Sequence, residues 1–274
     1  MFGIPVLEKI TFRNDFINNV VVRGNYNNNR SCANNRQALK SRYAELLPIQ
    51  SDTPQQQYNI NIDVKTNQTS VNANVDENER QVILRSRNMQ RELILTNNEF
   101  QYQESGPAYG TSITFNDAVS PTLSFLEETG VANLNKLRLR KVNVVGFELN
   151  SSNPTQPVNT WQPVAELINE KLAVQYQAMM GVAPFITQHF NILQFAEGDY
   201  MLTIKYGFNV LEKNVEGSSA KGQVVIDLEI TRNIAIAVSE TLNELRLMHQ
   251  ELYNAFNWCI SERFVNLLNQ EGVA

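Results

Sequence analysis

Two carboxylates one residue apart, Asp227 and Glu229, stand in the run Val-Val-Ile-Asp-Leu-Glu-Ile at 224–230. In an extended strand, residues i and i+2 share a face. The pair could therefore hold Mg²⁺ or divide acid and base work between its members. A strand face charged for solubility is the plainer reading of the same spacing. Glu240 and Glu244 offer a similar pair on a helix. Only two histidines occur, His189 and His249, and a Ser-His-Asp or Cys-His centre would need one of them. His249 stands among Leu245, Met248 and Leu252, where it reads first as a structural helix residue, and His189 enters a strand. Asp227, Glu229 and His249 are the candidate catalytic residues, in a hydrolase-like role. No GxxxxGK, GxGxxG, GxSxG or HExxH motif occurs. Two histidines without patterned carboxylates, and two cysteines without C-x-x-C spacing, give no metal site and no cofactor.

The most basic run joins Lys136 to Arg138, Arg140 and Lys141, and Arg85, Arg87 and Arg91 form a second. Guanidinium groups on a strand could grip phosphate or the acidic surface of a partner. The chain as a whole holds 23 Lys+Arg against 28 Asp+Glu, a net charge of −5. Nucleic-acid binders carry excess positive charge, so nucleic acid is not an expected partner. Arg138, Arg140 and Lys141 read as a solvated sheet face, or, functionally, as a surface for a protein partner.

The elements that must position these residues follow from periodicity. In the first half, Val20–Arg23, Tyr58–Val64, Gln81–Leu84, Leu93–Thr96, Phe100–Gln103 and Thr111–Phe115 read as strands, with Ile60 and Ile62 alternating against Asn and Asp. Arg36–Leu47 has helical spacing and stops at Pro48, and the stretch 50–57 is linker-like. A helix capped near Asn116-Asp117, with Pro121 in its first turn, ends at Gly130. Leu137–Leu149 is the longest strand of this half, and its blurred phase at Val144-Val145-Gly146 predicts a bulge. The Ser/Asn/Pro stretch 150–158 is the expected boundary between 1–150 and 151–274. Beyond it come a helix over Trp161–Leu172, a hairpin of Phe190–Phe195 with Tyr200–Val210, and a one-face strand over Gly222–Ile230. From about Ser239 to Asn269 no Pro or Gly interrupts a Leu/Phe stripe. That predicts one unbroken helix of about 42 Å, longer than a small sheet can cover.

Composition sets the class. Of 274 residues, 42% are hydrophobic and 19% charged, which excludes a polyelectrolyte, collagen or a coiled-coil rod and leaves enough apolar matter for a core. The 35 asparagines cluster at 25–30, 66–78 and 151–159, where they read as exposed turns. Cys32 and Cys259 are too few for a disulfide scaffold. The start lacks a basic segment before an apolar core, and no apolar run approaches the roughly 18 residues of a membrane span. A cytoplasmic protein without membrane contact is the expectation.

The order of features resembles a sporadically distributed, uncharacterised family of bacterial proteins, often encoded near mobile elements. The resemblance is carried by the long strand KLRLRKVNVVGFELN (136–150), the helix WQPVAELINEKL (161–172) and the Asp-centred strand VVIDLEI (224–230). It continues in a terminal helix with Leu245, His249, Tyr253 and Phe256 leading into Ile260-Ser261-Glu262. It covers nearly the whole chain, and departs from the family where Gly146-Phe147-Glu148 replaces an Arg-Tyr-type pair. The family's motifs are packing patterns, so the resemblance implies an architecture and a genomic setting.

The sequence thus predicts an α+β protein, with antiparallel sheets in two similar halves packed by helices and a long amphipathic C-terminal helix. The expected function is that of a non-catalytic cytoplasmic adaptor, an accessory component of a mobile-element or defence-related system that binds a protein partner or itself. A hydrolase-like enzyme using Asp227, Glu229 and His249 is the alternative. A chaperone-like client binder with an exposed apolar patch is a third reading.

Overall fold

Alternation of apolar and polar residues along nine strands builds one antiparallel sheet, described by a computed structural model for residues 1–6, 16–63, 68–109, 113–153, 156–178, 185–214 and 217–269. The chain begins with β1 (Ile17–Asn25), α1 (Arg30–Asn34) and α2 (Arg36–Arg42), followed by β2 (Ile49–Asp63), β3 (Gln68–Arg85), β4 (Arg91–Leu95) and β5 (Glu99–Ser105). Next come α3 (Phe115–Glu128), β6 (Asn133–Leu134), β7 (Lys136–Asn150), α4 (Gln162–Leu167) and α5 (Glu170–Ala178). The chain closes with β8 (Gln188–Glu197), β9 (Tyr200–Lys213), β10 (Ser219–Arg232), β11 (Ile236–Ala237), α6 (Thr241–Cys259) and α7 (Glu262–Asn269). The main sheet runs β2-β3-β4-β5-β1-β7-β10-β9-β8, and β6 pairs with β11 apart from it. The fold is α+β. The stretch 150–158 lies between β7 and α4, and the strands on its two sides, β7 and β10, pair along Leu137–Asn150.

Period-2 alternation gives this sheet two unlike faces. Val22 and Leu139, Tyr102 and Leu93, and Ile230 and Leu202 are directly opposed pairs of buried residues on one face. Helices contact that face: Phe115 of α3 stacks edge-on against Tyr102, Tyr176 of α5 meets Phe208, and Trp258 of α6 meets Phe195. The opposite parity, including Val21, Arg23, Arg138, Arg140, Asp227 and Glu229, is half-buried or exposed.

Helix ends follow local chemistry. Thr114 caps α3 by accepting from the Asp117 amide at 3.2 Å. At its other end Gly130 adopts φ +87°, and the Val131 amide returns to the Leu126 carbonyl at 2.8 Å, a Schellman closure. Pro121 falls inside α3 rather than in its first turn.

Several expectations change. The linker-like stretch 50–57 and the Asn-rich positions 68–78 are strand, paired with each other in β2 and β3. Cross-strand pairing overrides the turn preference of Asn. Thr111–Phe115 lies partly outside the described residues, and Phe115 opens α3. No bulge interrupts Val144–Gly146, which pair in continuous register with Gln223–Val225.

The long C-terminal helix is present, but it is not the unbroken rod expected over 239–269. It stops at Cys259, and Ile260 turns extended (ψ 153°) to form a β-bridge with Ile168. Ser261 donates through Oγ to the Glu166 carbonyl at 2.6 Å and accepts from the Phe264 amide at 3.3 Å, which starts α7. The same bridge divides the expected helix 161–172 into α4 and α5. A β-branched residue followed by a capping serine lets tertiary pairing win over helix propagation.

Candidate functional site

The sheet face opposite the helices gathers Asp227, Glu229, Arg138 and Arg140, all singled out by spacing. Arg140 lies opposite Glu229 in register and reaches diagonally to Asp227. Its Nε donates to Oδ1 at 2.7 Å and its Nη2 to Oδ2 at 2.6 Å, a bidentate fork. Those hydrogen bonds raise the pKa of Arg140 above its ordinary value, against an opposing effect of burial. Glu229 accepts from Thr231 Oγ1 at 3.2 Å. Asp227 and Glu229 therefore do share a face, with Asp227 neutralised by Arg140 and Glu229 tied to its own strand.

Cations concentrate beside this pair. Arg138 is aligned between Arg23 of β1 and Thr231 of β10, and Lys136 lies opposite Asn25. Arg23 forms an ion pair with Glu99. Arg138 makes no ion pair among the described residues, and its Nε is buried without an acceptor. Burial lowers the pKa of Lys136, and the nearby Arg138 charge lowers it further. Farther along, Lys205 lies over the Phe190 ring at 4.6 Å. Gly207 is opposite Phe190, and a Cβ there would sit 2.0 Å from the His189 carbonyl oxygen. The glycine is thus required by the close passage of β8.

Lys141 parts from its neighbours. As the next residue along β7 it faces the helices and is buried. Its Nζ donates to Tyr109 Oη at 3.0 Å, lies 3.4 Å from His249 Nε2 and sits 5.1 Å from the centre of the Tyr109 ring. In the same row, one strand beyond Val20, Glu104 is 1% exposed. It accepts from Tyr102 Oη at 2.7 Å and from Arg91 Nε at 3.1 Å. Burial, followed by the Glu104 charge, drives the Tyr102 pKa upward. Strand parity removes Lys141 from the basic surface assigned to it with Arg138 and Arg140.

His249 consequently meets Lys141, while Asp227 and Glu229 lie across the sheet from it. His189 approaches Tyr176 Oη at 3.2 Å and packs edge-on against its ring. Cys32 and Cys259 are buried and unbridged, and burial pushes the Cys259 thiol up to about 12. Among the described residues no three His, Cys, Asp or Glu side chains converge as a metal-binding group. A depression of about 520 Å³ on α3, lined by Arg42, Asp117, Ser120, Pro121 and Ser124, holds none of the candidate residues.

Spacing did not single out Arg23, Lys205, Tyr109 or Glu104. Arg23 and Lys205 alternate with apolar neighbours in their strands, a signal open to reading. Tyr109 and Glu104 enter through contacts between distant elements. No helix among the described residues is long and apolar enough to cross a membrane. Comparison of the chain with protein-family models, curated proteins and solved structures found no match.

Proposed function

We propose that this chain is a non-catalytic interaction protein that docks an acidic protein surface on the face of its sheet opposite the helices, with Arg138 at the centre of the contact. The single observation that carries this reading is Arg138, a half-buried guanidinium on the sheet face opposite the helices, whose buried Nε has no acceptor among the described residues. A buried donor left unpaired costs free energy, and a partner carboxylate could satisfy it in bidentate geometry. Lys136 adds charge at the same end. An over-long helix lends no support, because the helix is broken at Ile260. The family resemblance supplies the setting, an accessory component of a bacterial mobile-element or defence-related system in the cytoplasm.

The hydrolase-like alternative needs Asp227, Glu229 and His249 in one pocket, and the sheet lies between the carboxylates and the imidazole. The chaperone-like alternative needs a contiguous apolar patch, whereas the face opposite the helices interleaves Val21, Val142 and Ile94 with Arg23, Arg140 and Glu92.

The test is affinity purification of the tagged full-length protein from its own cells, wild type beside Arg138→Glu, with quantitative mass spectrometry. A defined protein with an acidic surface should be recovered by wild type and fall about tenfold or more with the variant, at unchanged melting temperature. Recovery of the same proteins by both forms, or of none by wild type, overturns the reading.

A further inference from the structure

The nine-stranded sheet ends at β2 on one side and β8 on the other. Among the described residues β8 pairs with β9 alone, in unbroken register from Gln188–Asn209 to Glu197–Tyr200. The Val210 amide donates to the Thr187 carbonyl at 2.8 Å, which makes 187–210 a hydrogen-bonded pair. Bonded and non-bonded pairs alternate along an antiparallel ladder, so the odd-numbered residues of β8 bond to β9. The two-residue turn at Gly198-Asp199, with Gly198 at φ +56°, closes on the odd-numbered Glu197 in keeping with that phase. The even-numbered residues Gln188, Phe190, Ile192, Gln194 and Ala196 therefore aim N–H and C=O away from the sheet.

This edge carries none of the usual protection. Sheet edges are blunted by Lys, Pro, bulges or a covering element. Residues 188–197 contain no Pro, Gly, Lys or Arg, and their single acid is Glu197 at the strand's end, where it accepts from the Phe2 amide. The strand is not covered either, because Ile192 is 61% exposed and Gln188, Gln194 and Ala196 are exposed. Its helix side is anchored. Asn191 donates to Tyr176 Oη at 3.1 Å, and Phe195 packs edge-on against Trp258. A fixed, straight row of main-chain donors and acceptors is a template for another strand.

We propose that β8 is a dimerisation edge, and that its occupant is β8 of a second copy of this chain, paired antiparallel about a two-fold axis beside Ile192. A two-fold contact requires self-complementarity, and this strand has it in one register. Centred on Ile192, the pairing sets Ile192 opposite its own copy, Phe190 opposite Gln194 and Gln188 opposite Ala196. All five outward-facing residues of each copy are then used, and a shift either way would leave some unpaired. Each copy donates five main-chain hydrogen bonds, ten in all, which matches the roughly ten of a typical specific interface. On the helix side Asn191 meets Leu193 and His189 meets Phe195, so no like charges face one another. The other edge cannot replace β8 in a closed pair, because joining β8 to β2 of the next copy is head-to-tail and grows into filaments. β10 and β9 separate β8 from the strand that carries Arg138. Failure of this contact therefore leaves the partner-docking reading standing, and the reverse also holds.

The experiment is light scattering on the full-length protein at micromolar concentration, wild type beside Ile192→Lys, Ile192→Glu and a control, Met89→Lys. Met89 is 62% exposed between β3 and β4, in the other half of the sheet. Wild type and the control should scatter as dimers. Each Ile192 variant should be monomeric, with the dissociation constant raised at least a hundredfold. An equimolar mixture of the two should return to dimers, which misfolded variants would not do. A monomeric wild type, oligomers that keep growing with concentration, or dimers that survive Ile192→Lys overturn the proposal. Ile192→Cys gives a second readout. Residues opposed in a bonded pair have Cα atoms about 5.5 Å apart, within disulfide range, and the native thiols Cys32 and Cys259 are buried. Mild oxidation should link Ile192→Cys into a covalent dimer and leave Met89→Cys monomeric. Only monomer from Ile192→Cys on denaturing gels would overturn the proposal.

Discussion

Cys259 shows how burial alone can write a pH dependence into stability. At the end of α6 it is fully enclosed, and its thiol is pushed from the ordinary value near 9 to about 12. Burial likewise takes Tyr43 from near 10 to about 12, partly offset by its hydrogen bond with Thr122. In both cases the unfolded chain loses the proton first. Stability is then complete below pH 9 and declines as pH rises through the window to about 12, by at most about 1.4 kcal/mol per pH unit for each group. The urea midpoint, measured in reductant, should hold from pH 7 to 9 and fall above it. Cys259→Ala should start lower, from the lost volume, yet fall less between pH 9 and 10, before Tyr43 contributes. An equally steep fall in the variant would refute the assignment. At this scale the sequence was legible as far as strand parity reaches. Asp227 and Glu229 share a face because they are two apart. The fork from Arg140, and the meeting of Lys141 with His249 across 108 positions, depend on registers and packing that no local window contains.

The paired helix breaks are the clearest element-level departure from periodicity. Each helical stripe runs through its break without a Gly or Pro, because Ile168 and Ile260 remain apolar and buried while leaving the helix to pair with each other. Ser261 holds the joint through the Glu166 carbonyl and the Phe264 amide. Ser261→Ala should lower unfolding free energy by about 1–2 kcal/mol, and Ser261→Thr should keep most of it, read as urea midpoints. An alanine variant indistinguishable from wild type would mean that the bridge alone fixes the break. Strands were read well wherever apolar residues alternate, as in β1, β4, β5, β7, β9 and β10. The β2–β3 pair was half legible. Tyr58–Asp63 alternates visibly, but its partner strand hides in an Asn-rich stretch, where residue preference points to turns and only cross-strand pairing reveals a strand.

For the molecule as a whole, the ladder between β7 and β10 joins the part before residue 150 to the part after it, and the buried residues form one connected core across both. Calorimetry should accordingly show a single transition, with the calorimetric and van't Hoff enthalpies in agreement. Two resolved transitions would mean that the parts melt separately. The α+β class was open to inference from composition and periodicity. That both parts share one sheet was not, because edge pairing between distant strands leaves no composition shift behind. The alternation of Leu137, Arg138, Leu139, Arg140 and Lys141 also bears on folding fidelity. Sliding β7 by a single position against β1 and β10 would bring two guanidinium groups beneath the helices and turn two leucines out to water. Stranding unpaired charge there costs several kcal/mol for each ion, so near-miss alignments lie far above the correct one. The middle of the molecule is thereby indexed by its arginines, which act as a gauge for assembly.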